Sequence, residues 1–537
     1  MNNFKEFGVM LDCSRNAVMN VTAVKKFIDL LSIMGYNTLQ LYTEDTYEVK
    51  NEPYFGYLRG RYTSQEIKEI DRYAKDKGIE LIPCIQTLAH FDCLFNCEDY
   101  YNIHDIDNIL LVDEPRTYQL IENIFATLAE NFTTRKVCIG MDEAHHLGLG
   151  NYLYKHGYTD GYTLFLKHLQ KVLAIAEKYG FKARMWSDMF FRLANNGQYC
   201  SDTDDIASEK IKKIIEDVPK NVELVYWDYY HTQKQDYDKM LKAHKIFPNK
   251  TYFAGGIWTW SGYIPSNTYT FKTMLPALDA CKEQGVESVI MTMWGDNGGE
   301  CSFFSTLPSL FYLAEYAKGN TDEKAIKEKF DKLFPIPFDG FMKIDDINNW
   351  GEDRRTENPS KYLLFNDCFA GALDCTLRGD ESKQFAKYAK ELLPYCNDKD
   401  YGYIFESAYR LGDALSIKAD IGQRTRKAYQ EKGITQELIN DYEILIEKIK
   451  AFHKAYSKLW YKENKAFGFE IQDYRIGGLL QRVTSCEERL QAHMRGEIQT
   501  IEELETQLLN EWEGGTEFAK QPKRHNNFRA AISYNKL

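Results

Sequence analysis

The sequence predicts an α/β fold, a (β/α)8 TIM barrel followed by a mainly α-helical C-terminal domain. Three observations carry this. Between residue 6 and about residue 318, eight short apolar or β-branched runs alternate with amphipathic stretches, the pattern of a parallel sheet covered by helices. No glycine-rich nucleotide turn follows the first run, which disfavours a doubly wound open sheet. Past "KLFPIPFDG" (332–340) the strand signal stops and long helical patterns take over. Residues 1–330 read as the barrel and 341–537 as the helical domain.

The strand runs, in order, are "FGVMLDC", "TLQLYT", "ELIPCIQ", "KVCIGM", "KARMWS", "ELVYWD", "TYFAGGIW" and "SVIMTMW". Helical patterns such as "VTAVKKFIDLLSIMG" and "TLFLKHLQKVLAIAEKYG" lie between them. Gly35, Gly78 and Gly180 close three of these as C-terminal stops. The tail carries helical patterns in "SKQFAKYAKELLPY" and in a longer stretch beginning "TQELINDYEILIEKIK". One tail segment, "LWYKENKAFGFEIQDYRIGGL" (459–479), is aromatic, charged and punctuated by glycine. It reads as a loop, either packed in the core or reaching toward the active-site mouth.

Composition narrows the function. The 537 residues are 44% hydrophobic and 27% charged, as expected of a soluble globular protein. A net charge of −12 offers no basic footprint for nucleic acid or for an anionic membrane surface. No run is long and apolar enough to span a bilayer, and the N-terminus shows no secretory pattern. The 12 cysteines form no paired framework, so reduced thiols and a cytoplasmic location are expected. His90, Cys93 and Cys97 stand at helical spacing, too weak a signal for a metal site. No metal and no cofactor are expected.

In such a barrel the chemistry sits where the strands exit at their C-terminal ends. The first strand delivers Asp12 and Arg15, the second Glu44 and Asp45, the third His90, and the fourth the adjacent pair Asp142 and Glu143. The fifth to eighth deliver Trp186, Trp227, Trp258 with Trp260, and Trp294 with Asp296. Five of the eight tryptophans thus fall at four consecutive strand ends. Indoles among carboxylates describe a sugar site, where aromatic faces cover the C–H side of the ring and acids bind its hydroxyls.

With these residues in place the chain resembles glycoside hydrolase family 20, the β-N-acetylhexosaminidases. "VCIGMDEAH" is similar to that family's H-x-G-G-D-E motif. "GVMLDCSRN" resembles its first-strand segment, which ends in a sugar-binding arginine, here Arg15. "GIELIPCIQTLAH" resembles the third strand with its histidine, His90. "YNTLQLYTED" resembles the second, which would put Asp45 near that histidine. "MTMWGDN" resembles the eighth, with Trp294 and Asp296. The resemblance spans roughly residues 6–318, and five motifs in the correct order make it specific. There are departures. The motif's histidine and second glycine are Cys138 and Met141, no small sheet domain precedes the barrel, and the helical tail differs from the commonest layout. The seventh-strand tyrosine that holds the substrate's acetamide oxygen has no clear counterpart, and Tyr229 or Tyr230 is its candidate substitute.

Two neighbours leaving one strand cannot easily flank a glycosidic bond from opposite faces. A conventional retaining enzyme holds its two carboxyls about 5–5.5 Å apart across the sugar, usually on different strands. In the substrate-assisted variant the 2-acetamido oxygen is the nucleophile, and only one protein acid need reach the leaving oxygen. The resemblance then implies Glu143 as general acid and base, and Asp142 as the ionised partner of the acetamide. The tryptophans would box the acetamide methyl, and Arg15 and Asp296 would hold outer hydroxyls. The expected reaction is exo-hydrolysis, with retention, of terminal β-linked N-acetylhexosamine on an oligosaccharide or glycoconjugate. A homodimer is compatible with this reading. The rivals are a barrel glycosidase with a protein nucleophile from another strand and a catalytically silent sugar-binding protein.

Overall fold

Barrel strands bury both faces, one against the lumen and one against the helix ring, so they read as nearly continuous apolar runs. In the computed structural model all eight runs become strands. They are β1 (Glu6–Asp12), β2 (Thr38–Tyr42), β3 (Glu80–Cys84), β4 (Lys136–Cys138), β5 (Lys182–Trp186), β6 (Val222–Trp227), β7 (Thr251–Gly256) and β8 (Ser288–Met293). All pair in parallel and in sequence order, and β8 returns to β1 to close the barrel. The structure describes residues 4–194, 197, 199, 214–348, 358–431, 433–509, 533 and 535.

The ring helices are α1 (Val21–Met34), α2 (Ser64–Asp76), α3 (Pro115–Asn131), α4 (Asn151–His156), α5 (Gly161–Lys178), α6 (Asp188–Ala194), α7 (Lys234–His244), α8 (Asn267–Glu283) and α9 (Leu307–Ala317). Local chemistry sets their starts. Asn20 accepts the Ala23 N–H ahead of α1, Asp160 does the same for α5, and Thr63 and Glu66 form a capping box on α2. Gly35, Gly78 and Gly180 stand in the left-handed region just past α1, α2 and α5, where the sequence placed the stops.

Side chains fill the lumen. Met10, Tyr42, Cys84, Cys138 and Trp186 pack there with Val225, Tyr252, Ala254 and Ile290. Below them, Arg184 is buried against Glu6 and lies 4.3 Å under the Tyr252 ring centre. The barrel is therefore a packed plug with its cleft at the C-terminal end.

The tail is helical, with α10 (Glu323–Leu333), α11 (Glu381–Leu392), α12 (Gly402–Gln430), α13 (Gln436–Glu463) and α14 (Phe469–Met494) as its main elements. Residues 510–532 of the expected helical domain lie outside the described residues. The segment 459–479 is not the expected loop. It is the end of α13 and the start of α14 around a five-residue turn, 464–468. That turn does approach the barrel mouth, through a bridge between Met19 and Asn464 and a bond from the Lys465 N–H to Val18 O (2.8 Å). Among the described residues no helix is long and apolar enough to cross a membrane.

Candidate active site

The C-terminal strand ends converge on a cleft. It is lined by Arg15, Tyr42, His90, Asp142, Glu143, Trp186, Trp227, Tyr229, Tyr230, Trp260, Trp294 and Asp296. All eight strands supply them, through their last residues or the loops that follow.

The turn after β4 sets the acid pair. Gly140 and Met141 both adopt left-handed φ (71° and 67°), and Glu143 does so again (51°). A Cβ on Gly140 would stand 2.0 Å from the Gln86 side-chain oxygen, so only glycine fits there. The Met141 side chain is fully buried, anchoring the turn in the core. The coil throws the two acids apart. The Asp142 side chain is 11% exposed and points inward, while that of Glu143 is 42% exposed and faces the cleft.

Gln86, two residues past β3, braces this turn. Its side-chain N–H groups donate to Asp142 Oδ1 (2.8 Å) and to the Tyr42 hydroxyl (2.9 Å), and its oxygen accepts the Met141 N–H (3.2 Å). His90 brings Nε2 to 3.2 Å from Asp142 Oδ2 and 3.8 Å from Glu143 Oε2. Burial disfavours the His90 cation most strongly, yet the charge and hydrogen bond of Asp142, joined by the charge of Glu44, together outweigh it and push the pKa up to about 9. Asp142 answers in kind: burial would raise it, but the His90 charge and hydrogen bonds hold it below the usual carboxylate range. An imidazolium–carboxylate pair therefore sits at the floor of the cleft at neutral pH.

Arg15 is tethered from β1 and β2. Its Nη2 lies 3.1 Å from Glu44 Oε1, and Asp12 Oδ2 lies 3.7 Å from its Nε. Asp12 also accepts the Gly295 N–H (2.9 Å), tying the first strand end to the eighth. Asp296 stands exposed at the mouth facing Arg15, and desolvation by the surrounding side chains raises its pKa to about 6. Four indoles form the wall, with Trp294 edge-on to Tyr42 (4.7 Å) and Trp227 stacked on Tyr229 (5.3 Å). Trp186 Nε1 is buried with no hydrogen-bond partner among the described residues, as expected where a polar ligand would supply one.

Asp45 is not brought to His90. It is buried in an ion pair with Arg59 (2.9 Å), and its neighbour Glu44 lies near His90 Nδ1 instead (4.0 Å). Trp258 does not line the cleft. It packs behind Trp260, ring centres 4.4 Å apart, and donates to Tyr229 O (3.2 Å). Of the two candidate tyrosines, Tyr229 is buried in the wall and Tyr230 is 54% exposed at the rim. Tyr42, Glu44 and Gln86 were missed or passed over in the sequence, as was Asp188, a fully buried carboxylate behind the acid pair. Burial, followed by the charge of Asp142, raises Asp188 to about 7. His90, Asp142 and Glu143 offer ligand atoms within 4.8 Å of one another, the one such trio among the described residues.

Residues 4–283 match the family model of the glycosyl hydrolase family 20 catalytic domain, more than half of the chain. The chain belongs to glycosyl hydrolase family 20. Residues 339–520 match the glycoside hydrolase 20C C-terminal domain, so the helical tail is a family module as well. Among curated proteins, the chain is similar to a β-hexosaminidase of Vibrio furnissii, 29% identical over 26% of this chain and 29% of that protein. It is also similar to human hexosaminidase D, 25% identical over 40% of this chain and 43% of that protein. The chain thus spans less than half the length of these two relatives. Among solved structures is a family 20 exo β-N-acetylglucosaminidase from Vibrio harveyi in complex with N-acetylglucosamine. It is 17% identical over 64% of this chain and 59% of that one, with a TM-score of 0.49.

Proposed function

We propose that this family 20 hydrolase is an exo-acting β-N-acetylhexosaminidase that works by substrate-assisted catalysis with retention. The observation that carries the reading is the divergence of two adjacent acids from one strained turn. Asp142 is buried, ionised and paired with His90, whereas Glu143 is open to the cleft. A buried anion beside an indole wall suits the acetamide N–H and the positive charge of an oxazolinium-type intermediate. The half-exposed Glu143 suits proton donation to the leaving oxygen, then activation of water. Tyr229, buried in the wall, is the better placed tyrosine to donate to the acetamide oxygen. Arg15 and Asp296 would hold the outer hydroxyls, and the indoles would close a one-sugar pocket.

The test is a panel of chromogenic β-glycosides with and without the 2-acetamido group, combined with inhibition by an oxazoline-mimicking thiazoline. Cleavage confined to the acetamido sugars, a first-formed β product and tight thiazoline binding are expected. Equal cleavage of a plain β-glucoside would favour a protein nucleophile. Binding without turnover would favour a silent sugar-binding protein.

A further inference from the structure

The strand end of β5 holds a carboxylate and a guanidinium that the proposed chemistry does not use. Asp188 opens α6 two residues after Trp186 and is fully buried directly behind the acid pair. Its Oδ2 accepts the backbone N–H of Glu143 (3.4 Å) and the Nε–H of Arg192 (3.0 Å), one turn along the same helix. Arg192 in turn brings Nη2 to 3.8 Å from Glu143 Oε1. Its guanidinium lies 6.0 Å from the Trp227 ring centre, at the cleft wall, and donates to Gly197 O (3.2 Å).

Glu143 has two needs that these contacts meet. Its left-handed backbone is a strained state for a residue with a side chain, and such states persist only where the surroundings over-determine them. The bond from its N–H to Asp188 is a contact of that kind, reaching across from the next strand end. Its carboxyl, open to solvent, also needs an orientation. His90 lies 3.8 Å away on the Oε2 side, and Arg192, itself held by Asp188, faces the Oε1 side at the same distance, where it can steer the carboxyl.

The geometry points to Asp188 and Arg192 as positioning residues for Glu143, Asp188 pinning its backbone and Arg192 turning its carboxyl toward the leaving oxygen. This rests on the reading of Glu143 as the proton donor. A residue that acts through the proton donor leaves a signature that a merely structural residue does not. Substrates with poor leaving groups need the proton, whereas activated phenols need little of it. On the acetamide side of the cleft, Asp142 keeps its contacts with His90 and Gln86, and Trp227 its stack on Tyr229.

The experiment measures kcat and KM of wild type, Asp188→Asn, Asp188→Ala and Arg192→Gln on aryl N-acetylglucosaminides graded by leaving-group pKa. Thiazoline affinity is measured alongside. For the poorest leaving groups kcat should fall roughly tenfold to a hundredfold, the size expected of a misplaced reacting group. The loss should shrink toward dinitrophenyl substrates, with KM and thiazoline affinity within about twofold of wild type. Asp188→Asn and Arg192→Gln keep the side-chain size should Asp188→Ala fail to fold. A loss equal across the series, a parallel loss of thiazoline affinity, or no loss would overturn the positioning role alone. A wild type inert on the whole series would overturn the proposed activity and this role with it.

Discussion

Two neighbouring carboxylates here live in different media. Asp142 accepts from Gln86 and faces the His90 cation, while Glu143 looks into the cleft. Their replacement should therefore fail differently. Glu143→Gln should lose about 10²–10⁴-fold with poor leaving groups and far less with dinitrophenyl substrates, as removal of a general acid predicts. Asp142→Asn should lose activity evenly across the series and bind thiazoline weakly. Rates on graded aryl substrates decide this, and a flat response for Glu143→Gln would remove the acid assignment. The His90–Asp142 pair also has a stability signature. His90 is raised from 6.5 to about 9 on folding, so its contribution is full below pH 6.5 and lost as pH rises through 9. Asp142 is lowered from 3.8, so its share is present above that value and lost only as pH falls through the depressed one. Thermal midpoints of wild type and His90→Gln should differ most near pH 6 and converge above pH 9. A constant gap would show that His90 matters for packing and not for charge.

At the scale of the strand, period-two alternation decides which side chains reach the cleft. Met10, Tyr42, Cys84, Cys138 and Trp186 face the lumen, and two residues further on stand Asp12, Glu44, Gln86, Gly140 and Asp188. Carried past each strand end, that parity selects Glu44 over Asp45 and brings in Gln86 and Asp188. The eight strands were legible because each is a bounded apolar run, and the acid pair was legible because it ends one. Asp45 was chosen through the resemblance, which carries residue types and not parity. Trp258 was chosen through a count of tryptophans, which cannot tell the front of a wall from its back. The turn after β4 reads as a departure from the family motif in sequence, yet Met141 takes the left-handed backbone there and fills core volume that a glycine would leave empty. Gly140 has no such latitude. Gly140→Ala would set a methyl 2.0 Å from the oxygen of Gln86 at φ 71°, displacing the amide that holds Asp142. The backbone alone costs about 1–2 kcal/mol, and a displacement near 1 Å costs about a hundredfold in rate. The expected variant folds with a lowered midpoint and loses activity on every leaving group. Wild-type activity in it would show that Gln86 does not brace the site.

Across the whole molecule, the helical tail completes the mouth of the barrel. The turn between α13 and α14 presses Gly468 so close to the loop carrying Arg15 that a Cβ would stand 2.3 Å from Asn16 O. A second contact grips the loop carrying Trp294 and Asp296. Glu300, buried at the end of that loop, accepts from Lys361 Nζ (2.7 Å) and from Arg475 Nη1 (2.8 Å), and Arg475 also donates to Asn297 O (2.7 Å). The Tyr456 hydroxyl closes the clamp on Glu300 O (3.0 Å). The approach of the turn was one of two readings of 459–479, but the Glu300 clamp was not legible in sequence, because an ion pair between residues 175 positions apart leaves no local pattern. Removing the charge of one member of a buried pair leaves the other cations uncompensated, a loss of about 3–5 kcal/mol where burial is complete and less where Arg475 meets solvent. Glu300→Gln should therefore lower the apparent thermal midpoint by several degrees. It should also raise KM several-fold while kcat on activated substrates holds, since the loosened loop carries proposed hydroxyl contacts and the acid pair stands on the loop after β4. Steady-state kinetics beside thermal melts separate the two effects. A lowered midpoint with an unchanged KM would mean that the tail stabilises the barrel without shaping its cleft.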